Sequence, residues 1–480
     1  MAIYARTLFE SDRIVDTSVW KLLKEKEMVL EKRSLSLLSE AIDRLEEGLA
    51  DLPAFESEVD LEAMRAVLAE VATRMQDNFP YPHPFYAGQM LKPPHPIARL
   101  AYALALWINP NNHALDGGRA SSAMEKEAVA NIAAMYGWPD RFLGHLTSGG
   151  TMANLEALWI SSQLHPDRLV VASSQAHYTH ARISEVLGIP FRSVPVDSDA
   201  RIDVRKLESL LAAGEVGTVV ATLGTTSFGS VDPLDRILAL QNKYEFRVHV
   251  DAAYGGYFEL AANLDDATRR AFDDLDRVDS IVVDPHKHGL QPYGCGCVLF
   301  SDPSVGVIYQ HDSPYTYFSS DELHLGEISL ECSRAGASAV ALWATQRLLP
   351  MVQSGEFAVG LERSRDAARE LYRRLSADPD EMTTLEPELD IVVWAPRAAR
   401  ASSISARSQQ VFDAAAARDL HLALIVLPAT LLRPCWPGIE FDEEQVTCLR
   451  SVLMKPEHFD WLDRLWQVYK ASCDDCRSVD

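Results

Sequence analysis

The amino-acid sequence predicts an α/β protein: an open, mostly parallel sheet domain, a smaller C-terminal α+β domain and an N-terminal helical segment. Three observations predict it. Between residues 140 and 300, short β-branched runs alternate with helical stretches, the order that builds a parallel sheet covered on both faces. Before residue 80, apolar residues recur at three- and four-residue spacing, as on amphipathic helices. After Leu349-Pro350, further strands lie among helices. The chain's 480 residues exceed what one ordinary core serves, and the expected boundaries are 1–80, 81–350 and 351–480.

In chain order, Leu37, Leu38, Ile42, Leu45 and Leu49 mark a first helix, and Leu61, Met64, Val67, Leu68 and Val71 a second. Neither has a core of its own, so both are expected to pack on the next domain or on a second subunit. Phe79-Pro-Tyr-Pro-His-Pro-Phe-Tyr-Ala-Gly-Gln89 sets three prolines among four aromatics, which excludes a regular helix or a central strand. A rigid aromatic loop follows, of the kind that lines pockets. The runs at 168–172, 217–222, 247–251, 280–284 and 297–300 are the expected parallel strands, with helices at 152–164 and 235–244 between them. Beyond Pro350 come a helix at 362–375, strands at 390–394 and 422–427 separated by another helix, and a final helix from Pro456. Ligands of open α/β sheets bind beyond the carboxyl ends of the strands.

Composition narrows the function classes. An apolar fraction of 47% and a charged fraction of 24% are those of a soluble globular protein. The net charge of -24 argues against nucleic-acid partners and adsorption to anionic membranes, and means that an anionic ligand needs local positive groups. No uncharged apolar run reaches the length of a membrane span, and Arg6, Glu10, Asp12 and Arg13 do not suit a signal peptide. Seven cysteines in so long a chain are no disulfide framework, so a cytoplasmic location is expected. Cys473 and Cys476 form a Cys-x-x-Cys in an acidic tail with no second ligand pair nearby, and no metal site is expected.

Lys287 is the most informative residue. It stands in Ser280-Ile-Val-Val-Asp-Pro-His-Lys-His-Gly289, where a β-branched run leads into a lysine between two histidines. An amine presented at a strand end beside an imidazole suits Schiff-base chemistry with a carbonyl cofactor, although taken alone a surface lysine is the ordinary reading. Asp251, 36 positions upstream, changes that balance. It closes a predicted strand and leads into Ala252-Ala-Tyr-Gly-Gly256. A carboxylate there would pair with the ring nitrogen of pyridoxal phosphate and keep it protonated, with Ala252 and Ala253 leaving room for a flat ring. A helix cap is its alternative.

Four further sets fit the same site, each with an ordinary alternative. Thr147-Ser-Gly-Gly-Thr-Met-Ala-Asn154 offers two glycines and a helix start, an anion site suited to phosphate or simply a turn. His177 follows a strand and would stack on the ring, or is a loop residue. Thr225 and Thr226 would touch ring substituents, or shape a turn. Ser333-Arg-Ala-Gly336 precedes a helix and is either another phosphate contact or only a helix start.

The Thr147–Asn154 loop, His177, His249-Val-Asp-Ala-Ala-Tyr-Gly-Gly256 and Asp284-Pro-His-Lys-His-Gly-Leu-Gln-Pro-Tyr293 resemble, in order and spacing, the pyridoxal-phosphate-dependent group II amino-acid decarboxylases, and most of all their bacterial tyrosine decarboxylase branch. The resemblance spans residues 80 to 470. It implies the aspartate-aminotransferase-like (type I) fold, a pyridoxal 5'-phosphate cofactor, a homodimer with the active site at the subunit interface, and conversion of an L-amino acid to its amine and carbon dioxide. Carried over residue by residue, it makes Lys287 the covalent anchor of the cofactor, Asp251 the partner of the pyridine nitrogen and His177 the stacking group. Ser148, Gly149, Gly150 and His286 would surround the phosphate, with Thr151, Thr225, Ala253 and Ser333 as further cofactor contacts. Tyr315 is the candidate proton donor, with Tyr317 its rival. Arg450 would clamp the substrate carboxylate.

Substrate choice is the least determined point. His83, Phe85 and Tyr86, with Phe79 and Tyr81, suit an aromatic side chain, whereas Gln89, Lys92, His83 and His95 would equally hold an acidic one. A carbon–carbon lyase acting on phosphorylated long-chain amines, an aminotransferase and a desulfurase share the fold. The lyases usually carry a membrane anchor, and a desulfurase needs a cysteine on a mobile loop, whereas Cys295 and Cys297 lie in or beside a predicted strand. A non-catalytic binding protein would not need Lys287, Asp251 and His177 together. Borohydride reduction of the cofactor-loaded protein followed by peptide mass analysis is expected to find a pyridoxyl adduct on Lys287, and an adduct absent from that peptide overturns the assignment.

Overall fold

Two sheets organise the chain in a computed structural model that describes residues 30–53, 55, 58–113, 117–310 and 328–477. Ser34–Asp480 is the unit treated throughout. The larger sheet comprises β1 (Leu143–Thr147), β2 (Leu169–Ser173), β3 (Phe191–Val194), β4 (Val216–Thr222), β5 (Arg247–Asp251), β6 (Ser280–Val283) and β7 (Gly296–Phe300), in the spatial order β1-β7-β6-β5-β4-β2-β3. From β6 to β3 every pairing is parallel. Burial explains the composition of these strands: all seven residues of β4 and all four of β6 are buried, so polar alternation is absent.

The expected strands form within one or two residues of their predicted ends. One direction differs, because β7 runs antiparallel to both β6 and β1. Buried strands of either direction read alike in sequence, so composition alone did not reveal the reversal. No helix lies between β6 and β7, and a parallel return needs a crossover. β1 was not expected at all: Leu-Gly-His-Leu-Thr contains a glycine and a buried histidine where a β-branched run was sought.

The smaller sheet is wholly antiparallel, in the order β10 (Ala423–Pro428), β11 (Gln445–Val452), β9 (Ile391–Pro396), β8 (Glu381–Thr383). Helices Glu356–Ala377 and Ala401–Ala416 pack on it, and helix His458–Arg477 packs against both of them. Trp394 of β9 is buried and donates its indole N–H to Tyr469 at 2.8 Å. The aromatic loop joins this sheet through its end: Ala87 donates to the His421 carbonyl and accepts from Val452 N–H, both at 2.9 Å.

The two N-terminal helices form as Leu35–Glu47 and Leu61–Met75. Leu61–Met75 begins at Asp60, whose side chain accepts the Ala63 N–H at 2.9 Å, yet it buries none of its residues. Its Leu61, Val67 and Leu68 are 68%, 59% and 63% exposed.

Ser333-Arg-Ala-Gly336 performs a structural task. Arg334 donates to Glu125 Oε1 at 2.6 Å and to the Leu146 carbonyl at 2.7 Å, fastening helix Gly336–Leu348 to helix Arg119–Met135 and β1. Glu125 also accepts from Asn112 at 2.6 Å and from the Leu146 N–H at 3.0 Å. Truncating one member of a buried ion pair strands the other charge. Arg334→Met is therefore expected to cost about 3–5 kcal/mol of stability, read as a lower urea midpoint, and an unchanged midpoint would show that the latch carries no weight.

Candidate active site

The carboxyl ends of the parallel strands open into a cavity of about 300 Å³. β4 contributes Thr222, β5 contributes Asp251, and the turn after β6 contributes Asp284, His286 and Lys287. The fourth wall is Ser148, Gly149 and the start of helix Gly150–Leu164. No side chain caps that helix, so its first N–H groups remain available to an anion.

Lys287 sits in a turn whose geometry excludes larger residues. A Cβ on Gly289 would lie 2.6 Å from Pro285 Cα and 2.6 Å from the Tyr257 hydroxyl. The lysine Nζ lies 3.0 Å from Asp284 Oδ2. Burial alone would lower the lysine pKa, but the carboxylates of Asp284 and then Asp251 outweigh it and raise the value above that of an ordinary lysine. The Asp251 carboxyl is held well below the usual range: burial opposes ionisation, but the His180 hydrogen bond and charge, Lys287 and the Ala253 N–H prevail. Its Oδ2 lies 2.8 Å from His180 Nε2, and its Oδ1 accepts the Ala253 N–H at 3.1 Å.

Two buried networks stand behind these groups. His249 reaches Asn154 Oδ1 through Nε2 at 2.8 Å and Ser280 Oγ through Nδ1 at 2.9 Å, and Asn154 donates to the Gly150 carbonyl at 2.8 Å. Burial brings the His249 pKa down to about 3, so this bridge between the glycine loop and β5 is neutral. On the other side of Lys287, His288 Nε2 lies 3.2 Å from Asp390 Oδ2, and the Tyr254 hydroxyl donates to Asp390 Oδ1 at 2.5 Å.

The structure gathers Ser148, Gly149, Gly150, Thr151, His177, Asp251, Ala253, His286 and Lys287 around the one cavity. His177 lines it with Nδ1 2.8 Å from Thr179 Oγ1, and burial lowers its pKa. His286 is oriented by the Cys295 carbonyl, 2.7 Å from its Nδ1.

Several expected residues lie elsewhere. Thr226 faces the cavity, but Thr225 does not: its hydroxyl accepts the Ser230 N–H at 3.1 Å inside the turn. Ser333 is exposed and bonds Asn111 at 3.2 Å, outside the cavity wall. His83, Phe85 and Tyr86 are spent on packing. The rings of His83 and Phe85 lie 4.8 and 5.5 Å from Trp461, and Tyr86 is bridged to His421. Lys92 donates to the Met454 carbonyl at 3.1 Å, and His95 accepts the Ile97 N–H at 3.2 Å as a helix cap. Arg450 lies behind Thr226, donating to its carbonyl at 2.8 Å and to Gln89 Oε1 at 2.5 Å, with its buried Nε unpartnered among the described residues. Tyr315 and Tyr317 lie outside the described residues. His180, Asn154, His249 and Asp390 were not singled out from sequence. His180 had one signal, its place three residues after His177 at a helix start.

Residues 57–396 match the family described as the pyridoxal-dependent decarboxylase conserved domain. The chain belongs to this family. It is a pyridoxal-phosphate-dependent decarboxylase of amino acids. Among its relatives, a probable L-tyrosine/L-aspartate decarboxylase of Methanothermobacter thermautotrophicus is 30% identical over 64% of this chain and 82% of its own length. An L-tyrosine decarboxylase of Enterococcus faecium is 26% identical over 80% and 83%, and a probable L-aspartate decarboxylase of Halobacterium salinarum 30% identical over 64% and 81%. The fold is also that of Oryza sativa TDC solved with PLP and tryptamine, with a TM-score of 0.75 at 17% identity over 97% of this chain and all 100% of that one. Mouse CSAD in apo form gives 0.71 at 19% identity over 89% and 91%.

The decarboxylase's own residues suit pyridoxal phosphate. β7 passes directly against the glycine loop, since a Cβ on Gly296 would lie 2.5 Å from the Gly149 carbonyl carbon. Thr222 Oγ1 is buried at the cavity without a partner among the described residues. A Cβ on Gly150 would stand 2.7 Å from Asp284 Oδ2, the atom that holds Lys287. Gly150→Ala is accordingly expected to weaken cofactor retention about tenfold or more, measured by cofactor absorbance after gel filtration, and full retention would contradict the close packing.

Proposed function

We propose that this decarboxylase removes the α-carboxylate of an L-amino acid with an aromatic, tyrosine-like side chain, and that Lys287, Asp251 and His177 form the centre of its site. The observation that carries this reading is the convergence of one amine, two carboxylates and one uncapped helix start on a single cavity at the strand ends. When bound, pyridoxal phosphate supplies the electron sink for the pair left behind as carbon dioxide departs.

Lys287 is the amine that would carry the cofactor, and Asp284 and Asp251 favour its charged form. Asp251 keeps the proton of the ring nitrogen. His177, neutral at physiological pH, offers a flat face to the ring, while Ser148, Gly149, Gly150, Thr151 and His286 surround the phosphate. Arg450 takes the substrate carboxylate, consistent with a buried guanidinium whose Nε lacks a partner. Fixing the orientation of that group would favour its loss over proton transfer. Tyr315, or Tyr317, returns the proton to Cα.

An aromatic substrate is supported by relatives named for tyrosine and by the wall itself. Among the described residues lining the cavity, Lys287 is the only lysine or arginine, so with Arg450 engaged an acidic side chain would lack a counter-ion. The second reading, an acidic substrate, rests on relatives named for aspartate. We further propose a cytoplasmic homodimer with large and small domains built on the two sheets. The uncovered apolar positions of Leu61–Met75 support a second copy, and no disulfide joins the seven cysteines. In a screen of L-amino acids for carbon dioxide and the matching amine, tyrosine or another aromatic is expected to turn over best, and turnover of acidic substrates alone would overturn the aromatic assignment.

A further inference from the structure

We propose that His180 is the positioning residue for Asp251, holding its carboxylate at the angle and in the ionised form that a pyridine nitrogen in the cavity requires. This rests on the reading of Asp251 given above.

His180 lies in the first turn of helix Thr179–Leu187 and is fully buried. Three residues earlier His177 reaches the cavity wall, so one helix start sends one imidazole to the cavity and a second behind the carboxylate. An ionised carboxylate only accepts, so His180 Nε2, 2.8 Å from Asp251 Oδ2, carries a proton, while Nδ1 of His180 is buried with no hydrogen-bond partner among the described residues. His180 therefore donates. With Oδ1 accepting from the Ala253 N–H, both carboxylate oxygens are tied, and rotation about the side chain breaks two hydrogen bonds. Two donors also favour the charged form of a carboxylate. The remaining lone pairs face the cavity, whose wall Asp251 forms. The support continues one layer back, where the His249 ring centre lies 6.5 Å from that of His180 and is itself fixed by Asn154 and Ser280.

A residue that acts through Asp251 has a signature that packing alone lacks. In the cofactor-loaded enzyme, assayed with its best amino-acid substrate, His180→Phe fills the volume without a donor. It is expected to lower kcat about 10- to 100-fold with KM nearly unchanged, and to shift the absorbance band of the bound cofactor. His180→Gln, whose amide can donate from a similar position, is expected to recover most of both. Should His180→Phe fail to fold, His180→Met, also without a donor, carries the same expectation. Reconstitution with a cofactor analogue bearing carbon in place of the ring nitrogen is expected to erase the difference between wild type and the donor-less variant. Equal losses in the Phe and Gln variants, or a deficit that persists with the analogue, would reduce His180 to packing and overturn the proposal. Asp251→Asn separates the two layers. If it stays fully active, the reading of Asp251 falls, whereas an inactive Asp251→Asn beside a His180→Phe with wild-type kcat and spectrum overturns only the role of His180.

Discussion

The placement of one ammonium between two carboxylates is the constraint on which the rest of the site depends. Lys287 is half-buried, 3.0 Å from Asp284, with Asp251 also lowering the energy of its charged form. A lysine desolvated without such partners would lose its proton, and carboxylates buried without it would gain one. Charge balance thus sets the protonation of the cavity before any ligand enters. It also explains why a chain with a net charge of -24 keeps a site for an anionic cofactor: the local positive groups are the amine and the helix start.

Polar support for this balance comes from both layers behind the cavity. Asn154 and His249 link the glycine loop to β5 and β6. Beyond Lys287, His288 is paired with Asp390, which stands immediately before β9 of the smaller sheet. The residues on either side of the reactive amine therefore belong to different mechanical supports. Buried polar networks of this kind hold a site in place because each member is costly to leave unpaired.

Much of this was legible in the sequence because buried strands carry their own mark. The β-branched runs ending at Thr222, Asp251 and Asp284 located the strand ends, and the strand ends located the cavity. What stayed hidden depended on direction or on distant partners. β7 composition does not encode its reversal, and β1 hides behind a glycine and a histidine whose burial only the fold supplies. The aromatic loop misled because aromatic rings suit a pocket and a protein interior equally well, and here Trp461 and His421 claim them. Thr225 and Thr226 are chemically alike, and only the turn geometry turns the second toward the cavity. His180 became meaningful once its helix was known to begin at Thr179.

The attachment of Ala87 to the smaller sheet has a mechanical consequence. The chain crosses between the two sheets near Pro350, and crosses again where Ala87 lies between His421 and Val452. Bodies joined at a single point can swing in any direction, whereas bodies joined at two can turn only about the line through both. Gln89 sits just past the second junction and bonds Arg450, which in turn grips the Thr226 carbonyl. That run of contacts, together with the His288–Asp390 pair, adds side-chain ties between the two sheets to the two crossings of the chain.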